Sequence, residues 1–462
     1  MSFMPPTDAM FLLAESREHP MHVGGLQLFE PPEDSGPEFV RELLDSFRAT
    51  DNVSPLFRKR PAEPVSSLGN AWWTYDDTID FDYHLRHSAL PQPGRIRELL
   101  QLTSRWHGGL LDRHRPLWET HVVEGLQDGR IAVYNKIHHS MVDGVSALRL
   151  MQRSLSKDPD GRDCVPPWAL PSRKPSKDVE QRGLEPVLGA LRSVGALGGE
   201  AAGLLPVALK AAGQMFRDGD VAMPRAPKTI LNGRVGGARR FAAQSWEIDR
   251  IKRVAKSSAT TMNDVVLAMV SGALREYLLE QHALPDEPMT AMVPVSLALR
   301  SESAGQSSSK DGNAVGAVIV NLATDVDSGP TRLEEIALSS RSAKKVLGGL
   351  TPTQILAYSA LQVFPLALAP VPGYIKYARP PFNVIVSNVP GPNEPMYYNG
   401  ARLDGMYPVS IVLDGQAINI TLCSRDAYLD FGLIGCRKSV PHLQRLLTHL
   451  ETALSELESA WG

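Results

Sequence analysis

The sequence predicts a mixed α/β protein of two domains, and three observations support that prediction. At 462 residues, the chain exceeds the length that one hydrophobic core usually serves. Runs with the period-two alternation of strands are interspersed with runs of helical period along its whole length. Between about Ser156 and Gly237 the composition becomes rich in proline, glycine, lysine and arginine, as is typical of a connecting segment. We therefore expect domains at residues 1–157 and 238–462, joined by a linker at 158–237.

In the first half, an alternating strand gives way to a helix through a turn that carries two adjacent histidines. Residues 131–137 alternate as a strand does, and Val145, Leu148, Met151 and Leu155 recur at helical spacing. The turn between them reads His138-His139-Ser140-Met141-Val142-Asp143-Gly144. Because neighbouring side chains of an extended backbone point in opposite directions, one of the two histidines is expected to face a cavity. An imidazole there can accept a proton and return it within one turnover, since it titrates near neutral pH.

Three interpretations of this turn are open from the residues alone. A zinc site is the weakest, because no third and fourth ligands follow at metal-binding spacing, and we expect no metal. A structural interpretation makes one histidine part of the core and Asp143 the N-cap of the following helix. A catalytic interpretation makes one histidine a general base, and it is the one we favour.

The second half has the same mixed character. Asn263 and Asp264 open a strongly periodic helix that we predict over Val265–Leu279. Strands are predicted at residues 289–295, 314–322, 383–387 and 418–423.

Inside the linker, residues Leu184–Phe216 carry apolar residues at roughly helical spacing with few charges, interrupted at Pro206. A long apolar helix must bury a face. Two interpretations are open: the helix packs across both domains as a strap, or its apolar face lies on a membrane or a lipid droplet.

Composition excludes several classes of protein. The formal net charge of −3 leaves no basic surface for nucleic acid, so we expect no such partner. Three cysteines form no paired framework and suit a reducing cytosol. The N-terminal residues lack the basic stretch and apolar core of a secretory signal, and no apolar run reaches membrane-spanning length. We expect a cytoplasmic protein, either free or peripheral at the inner membrane or lipid inclusions.

The histidine turn resembles the His-His-x-x-x-Asp-Gly signature of coenzyme A-dependent acyltransferases. Further segments, taken in order, resemble the bacterial wax ester synthase/diacylglycerol acyltransferase family. These are Pro20-Met21-His22-Val23-Gly24-Gly25, residues 93–98, Pro116-Leu117-Trp118-Glu119, Asn263-Asp264, residues 387–392 and residues 412–421. One such signature is weak support for a family, whereas this ordered set spans nearly the whole chain.

The resemblance implies two chloramphenicol-acetyltransferase-like domains about a pseudo-twofold axis, with the histidine turn facing a central tunnel. It implies transfer of an acyl group from acyl-coenzyme A, which is a substrate and not a cofactor, to a long-chain alcohol or diacylglycerol. His139 would be the general base, His138 its support, and Asp143 the support of the loop with Arg300 as a candidate partner. No acyl-enzyme is expected. The alternatives are a condensation-type enzyme that uses a carrier protein, and a lipid-binding protein with a dead site, which the intact His139 and Asp143 disfavour.

Further candidate site residues have a functional and a structural interpretation each. Asn263 is a candidate oxyanion donor or a helix cap. Trp118 either lines the acyl path or belongs to the core. The candidate substrate-binding residues are Gly144, Pro116, Leu117, Trp118, Glu15, Phe364, Ser387 and Asn388. The structural alternatives are an exposed Glu15 on the first helix, Phe364 in the core, and a tight turn at Ser387 and Asn388.

Overall fold

The computed structural model describes residues 1–36, 38–50, 52–62, 72–171, 225–296, 315–350, 352–367, 369 and 373–461. The predicted helix at 184–216 and the candidate Arg300 lie outside the described residues. The strands are β1 (Ser2–Phe3), β2 (His22–Glu30), β3 (Lys59–Pro61), β4 (Trp72–Tyr75), β5 (Leu85–Ala89), β6 (Trp118–Glu124), β7 (Ile131–His138), β8 (Arg239–Glu247), β9 (Thr290–Ser296), β10 (Val315–Asn321), β11 (Val384–Val389), β12 (Tyr397–Tyr398), β13 (Ala401–Val409), β14 (Ile418–Arg425) and β15 (Tyr428–Cys436).

The helices alternate with these strands, as the mixed periodicity of the sequence predicts. They are α1 (Pro6–Ala14), α2 (Phe39–Arg48), α3 (Phe81–His84), α4 (Ile96–Gly108), α5 (Gly144–Arg153), α6 (Ile248–Ser257), α7 (Met262–Glu280), α8 (Gly329–Gly348), α9 (Pro352–Ala367), α10 (Tyr374–Tyr377) and α11 (Arg445–Trp461). In the described part of the chain, none of them combines the length and the apolar character that crossing a bilayer requires.

The first domain is built on a six-stranded sheet with the order β12-β13-β2-β7-β6-β5. β2 and β7 run antiparallel at its centre, with His22 opposite His138. Two of its strands, β12 and β13, come from the second half of the chain, and β13 pairs along the length of β2. The predicted domain limits of 1–157 and 238–462 place β12 and β13 in the second domain, because these limits were based on composition and chain order alone.

The second domain is built on another six-stranded sheet, with the order β10-β9-β11-β14-β15-β8. β11 runs parallel to both β9 and β14, so the sheet is mixed. α7 packs with α8 and α11, and its middle is buried on every side. The two-domain α/β prediction is thereby confirmed.

The domains meet through an apolar layer that both sheets supply. Leu26 and Tyr134 of the first sheet pack in one cluster with Phe241 and Ile434 of the second. The backbone N–H of Phe241 donates to the Ser104 hydroxyl across this layer at 2.8 Å. Burial of this apolar area, with its polar groups paired, stabilises one arrangement of the two domains.

The predicted strands agree with the structure to within two residues, but α7 begins three residues before the predicted Val265. Thr261 is its N-cap and accepts a hydrogen bond from the Asp264 N–H, while the Asp264 carboxylate accepts one from the Thr261 N–H. This capping box satisfies two amide groups that a helix end otherwise leaves unpaired. Asn263 is therefore not the cap, and Asp264 belongs to the first turn.

Candidate active site

Two hydrogen bonds fix the backbone of the histidine turn to the first sheet. The His138 N–H donates to the Leu117 carbonyl at 2.9 Å, and the His139 N–H donates to the Met21 carbonyl at 2.8 Å. Leu117 directly precedes β6 and Met21 directly precedes β2. The turn is thus held by both strands that flank β7, which limits the positions that its side chains can take.

His138 is fully buried, and its ring nitrogens lie beside Ser140 and Glu15. The Ser140 N–H donates to its Nδ1 at 3.1 Å, and the Ser140 hydroxyl lies 2.7 Å from the same atom. Because Nδ1 accepts, a neutral His138 carries its proton on Nε2. That nitrogen faces the Glu15 Oε1 at 3.3 Å. The supporting role that the resemblance implies for His138 stays a prediction.

Glu15 is the partner of His138. The structural alternative from the sequence was an exposed Glu15 on the first helix, and the structure does not show it. Its side chain is only 2% exposed. It accepts hydrogen bonds from the Met21 N–H at 3.2 Å and from the Arg113 guanidinium at 3.0 Å. Burial by itself raises the pKa of the Glu15 carboxyl, but the contacts with His138, Met21 and Arg113 outweigh it and hold the pKa below its usual value. Glu15 is therefore a buried carboxylate at neutral pH, and its predicted contact with substrate stays a prediction.

His139 has a different environment from its neighbour. Its ring stacks on Phe11 of α1, with 4.1 Å between the ring centres. Its Nδ1 is buried and has no hydrogen-bond partner among the described residues. Burial lowers the pKa of His139 to about 4, and the charge of Asp143 offsets this only in part. A neutral imidazole with an unpaired nitrogen is the form that a general base requires.

The Asp143 side chain contacts the N-terminal end of α5 and neither of the two histidine rings. It is the N-cap, and its carboxylate accepts from the Ser146 N–H at 2.8 Å and from the Ser146 hydroxyl at 2.9 Å. Its side chain is exposed. Gly144 follows as the first helical residue, and a Cβ there would lie 3.8 Å from Val23, an ordinary contact. Asp143 is thus the N-cap that the structural interpretation expected, and its loop-supporting role with Arg300 as candidate partner stays a prediction.

Asp143→Ala is expected to lower the melting temperature by about 1–2 °C, because an N-cap is worth ~1 kcal/mol and the shift per kcal/mol falls with chain length. Thermal unfolding followed by circular dichroism measures this change. Asp143→Asn is the matched control, since its side-chain oxygen can still accept the Ser146 N–H. An inactive Asp143→Ala protein with an unchanged melting temperature would instead indicate that Asp143 takes part in the reaction directly.

The segment Pro116-Leu117-Trp118 mainly packs around the histidine turn. Trp118 is buried, donates its indole N–H to the Phe57 carbonyl at 2.8 Å and stacks on Trp168. Pro116 lines a polar surface cleft of about 570 Å³ with charged neighbours such as Arg115. Such walls do not suit an alkyl chain. The substrate-binding roles of Pro116, Leu117 and Trp118 stay predictions.

The candidates of the second half lie on three elements, α7, β11 and α9. Asn263 is half-buried in the first turn of α7, and its side chain makes no hydrogen bond to another described residue. Ser387 and Asn388 lie within β11 and not in a tight turn, because Ser387 is paired with Thr421 of β14. The Phe364 side chain lies outside the described residues. Among the residues that are described, no group of three or more His, Cys, Asp or Glu side chains could hold a metal ion.

Several residues at the site carry no local sequence signal. Phe11 contacts His139 and Arg113 contacts Glu15, yet Arg113 is 98 positions away from Glu15 in the chain. Ser140 is the exception, since it lies inside the heptapeptide and is a hydroxyl two residues after His138.

Comparison with known proteins gives consistent results over the whole chain. The catalytic-domain profile of wax ester synthase/diacylglycerol acyltransferase matches residues 4–266, and the C-terminal-domain profile matches residues 311–458. A probable diacylglycerol O-acyltransferase of Mycobacterium tuberculosis is 53% identical, with all of both chains covered.

Solved structures agree with the sequence comparison. The wax ester synthase/diacylglycerol acyltransferase of Marinobacter aquaeolei is 41% identical, with all of both chains covered and a TM-score of 0.81. The first condensation domain of the CDA synthetase is 16% identical, with a TM-score of 0.59, 99% of this chain and 96% of that chain covered. At that identity the second likeness concerns the fold alone.

Proposed function

The chain belongs to the wax ester synthase/diacylglycerol acyltransferase family, and from this premise we propose that it transfers a long-chain acyl group from acyl-coenzyme A to the hydroxyl of a fatty alcohol or diacylglycerol. The enzyme is an acyltransferase. The observation that carries the finer proposal is the state of His139, which has a buried, unpaired nitrogen and a pKa of about 4.

In the proposed reaction His139 removes the proton of the acceptor hydroxyl. The oxygen attacks the thioester carbonyl, the C–O bond forms, and the C–S bond breaks as the tetrahedral intermediate collapses. The histidinium then protonates the departing thiolate, so protons balance within one turnover. The acceptor oxygen reaches the carbonyl directly, and no acyl-enzyme, metal or further cofactor is needed.

The residues around His139 have distinct proposed roles. His138 and Glu15 hold the turn in place, because both are buried and joined to each other. Asn263 is the proposed oxyanion donor, since its half-buried amide is not engaged by another described residue. Positioning and oxyanion stabilisation supply the acceleration that the base alone does not.

The test of this function is acceptor-dependent release of free coenzyme A thiol. We expect release from palmitoyl-coenzyme A with hexadecanol or with dioleoylglycerol, together with the matching ester on thin-layer chromatography. The ratio of the two rates reports the preferred acceptor. If neither acceptor raises thiol release above hydrolysis, the proposed function is wrong. Release only from an acyl-carrier protein would favour a condensation-type enzyme.

A further inference from the structure

Basic side chains gather where the segment between α1 and β2 meets the second domain. The Arg17 carbonyl packs so closely on Gly237 that a Cβ there would lie 2.5 Å from its oxygen. The Arg437 N–H, just after β15, donates to the Ala238 carbonyl, just before β8, at 2.9 Å. Four exposed side chains on these adjacent segments form what we call the basic cluster: Arg17, Arg234, Arg437 and Lys438.

The basic cluster has more positive charge than its surroundings neutralise. None of its four side chains forms an ion pair with a carboxylate in the described part of the chain. Two acidic residues lie on the same segments. Asp414 is already engaged, because it lies 3.2 Å from the His19 imidazole and accepts from the Val235 N–H at 2.8 Å. Glu18 is exposed beside Arg17 and is one negative charge against four positive ones.

A buried arginine adds a further positive charge at this place. Arg239 is 5% exposed, and its guanidinium donates to the Glu18 carbonyl at 2.7 Å and to the Gly236 carbonyl, so it joins the two domains. Burial lowers the pKa of Arg239 to about 10, and the group is still charged at neutral pH. Its hydrogen-bond partners among the described residues are carbonyl oxygens. A buried charge without a counter-ion is costly, and a bound anion would offset that cost.

The basic cluster is within reach of the histidine turn. Arg17 lies four residues before Met21, whose carbonyl accepts from the His139 N–H at 2.8 Å. Four residues span at most about 14 Å even when fully extended. The pantetheine arm of coenzyme A separates a thioester from the phosphates of the nucleotide by a comparable distance.

We propose that the basic cluster binds the phosphate groups of the nucleotide of acyl-coenzyme A. This inference rests on the proposed function, because acyl-coenzyme A is the polyanionic substrate that the reaction requires. The guanidinium fork binds phosphate oxygens in bidentate geometry, and the excess positive charge attracts an anion from solution. Phosphates bound there would leave the pantetheine arm free to extend toward His139.

Calorimetric titration with coenzyme A itself tests the inference. We expect the double variant Arg437→Gln with Lys438→Gln to bind coenzyme A about tenfold more weakly than the parent, since two charge-assisted contacts are removed. The matched control is Lys344→Gln with Lys345→Gln on α8, because these two lysines are also adjacent and exposed. It makes the same change of charge and should bind like the parent. Equal dissociation constants for the Arg437 and Lys438 variant and the parent would overturn the proposal.

Two donors with the same acyl group separate this inference from the proposed function. In the thiol-release assay, KM for octanoyl-coenzyme A should rise about tenfold in the Arg437 and Lys438 variant. KM for octanoyl-pantetheine, which lacks the nucleotide, should equal that of the parent. A KM that rises equally for both donors would show a general disturbance of the site and contradict the proposal. Calorimetry needs no turnover, so weaker binding of coenzyme A by the variant stands even if no acceptor is acylated.

The phosphate of an anionic lipid is the competing ligand of the basic cluster. Flotation with vesicles of dioleoylphosphatidylglycerol and dioleoylphosphatidylcholine distinguishes it. If the variant loses flotation and binds coenzyme A as tightly as the parent, the basic cluster is a lipid headgroup site and the proposal is wrong. Weaker binding of coenzyme A with unchanged flotation supports the nucleotide site.

Discussion

His139→Ala is expected to lower kcat/KM for the acceptor by about 10²–10⁴-fold, the usual worth of a general base. The reason is that the imidazole is the only group in the proposed scheme that removes the acceptor proton. Initial rates of thiol release at saturating palmitoyl-coenzyme A measure the change. A loss of less than about tenfold would mean that another group is the base.

The pH dependence of kcat/KM is an independent test of His139 as the base. His139 acts as a base only while it is neutral, and burial lowers its pKa from 6.5 to about 4. The rate should therefore be insensitive to this group above about pH 5 and should fall as the pH drops through about 4. The value of kcat/KM reports the free enzyme, and a fall in kcat/KM toward low pH that is centred near pH 6.5 would contradict a buried neutral base. Unfolding curves at each pH exclude acid denaturation as the cause.

Glu15→Ala is expected to reduce kcat by about 10²-fold while leaving KM for acyl-coenzyme A nearly unchanged. Removal of the carboxylate leaves the Met21 N–H without its acceptor, and it takes the negative charge away from the His138 Nε2 and from the Arg113 guanidinium, which keeps its bond to the Leu12 carbonyl. A displacement of about 1 Å at the turn is enough for such a loss. The buried groups left unpaired also destabilise the fold, by about 1–3 kcal/mol.

Whether Glu15→Ala changes kcat or KM distinguishes the two roles of Glu15, which are support of the histidine turn and contact with substrate. A raised KM with unchanged kcat would support the contact with substrate that the sequence suggested. Glu15→Gln is the matched variant, because its amide oxygen can still accept from the Met21 N–H, while its NH2 group removes the charge and replaces the oxygen that accepts from Arg113. We expect it to recover part of kcat and most of the stability. A Glu15→Gln protein as slow as Glu15→Ala would show that the negative charge itself is required.

Local features of the chain made the central part of the site predictable. A strand of period two, a helix of period 3.6 and the histidines between them can be recognised without knowing any distant contact. Asp143 was recognisable as a cap because it directly precedes the helix it caps. The predicted start of α7 is wrong because Thr261, the true cap, lies two residues before the Asn263-Asp264 pair.

Domain boundaries were less predictable, because they depend on pairing between distant segments. β13 reads as an ordinary strand in the second half, yet it is hydrogen-bonded to β2 of the first domain. Composition identifies a linker but carries no information about a strand that crosses over.

The sequence by itself determined the two-domain α/β class, the family and the histidine that we propose as the base, because these follow from short-range periodicity and an ordered set of motifs. Only the tertiary structure decided that Glu15 lies beside His138, that Phe11 stacks on His139, and that apolar side chains of α1 are exposed to solvent. These facts depend on burial and on contacts between residues far apart in the chain. Both are properties of the packed fold and leave no periodic signal in the sequence.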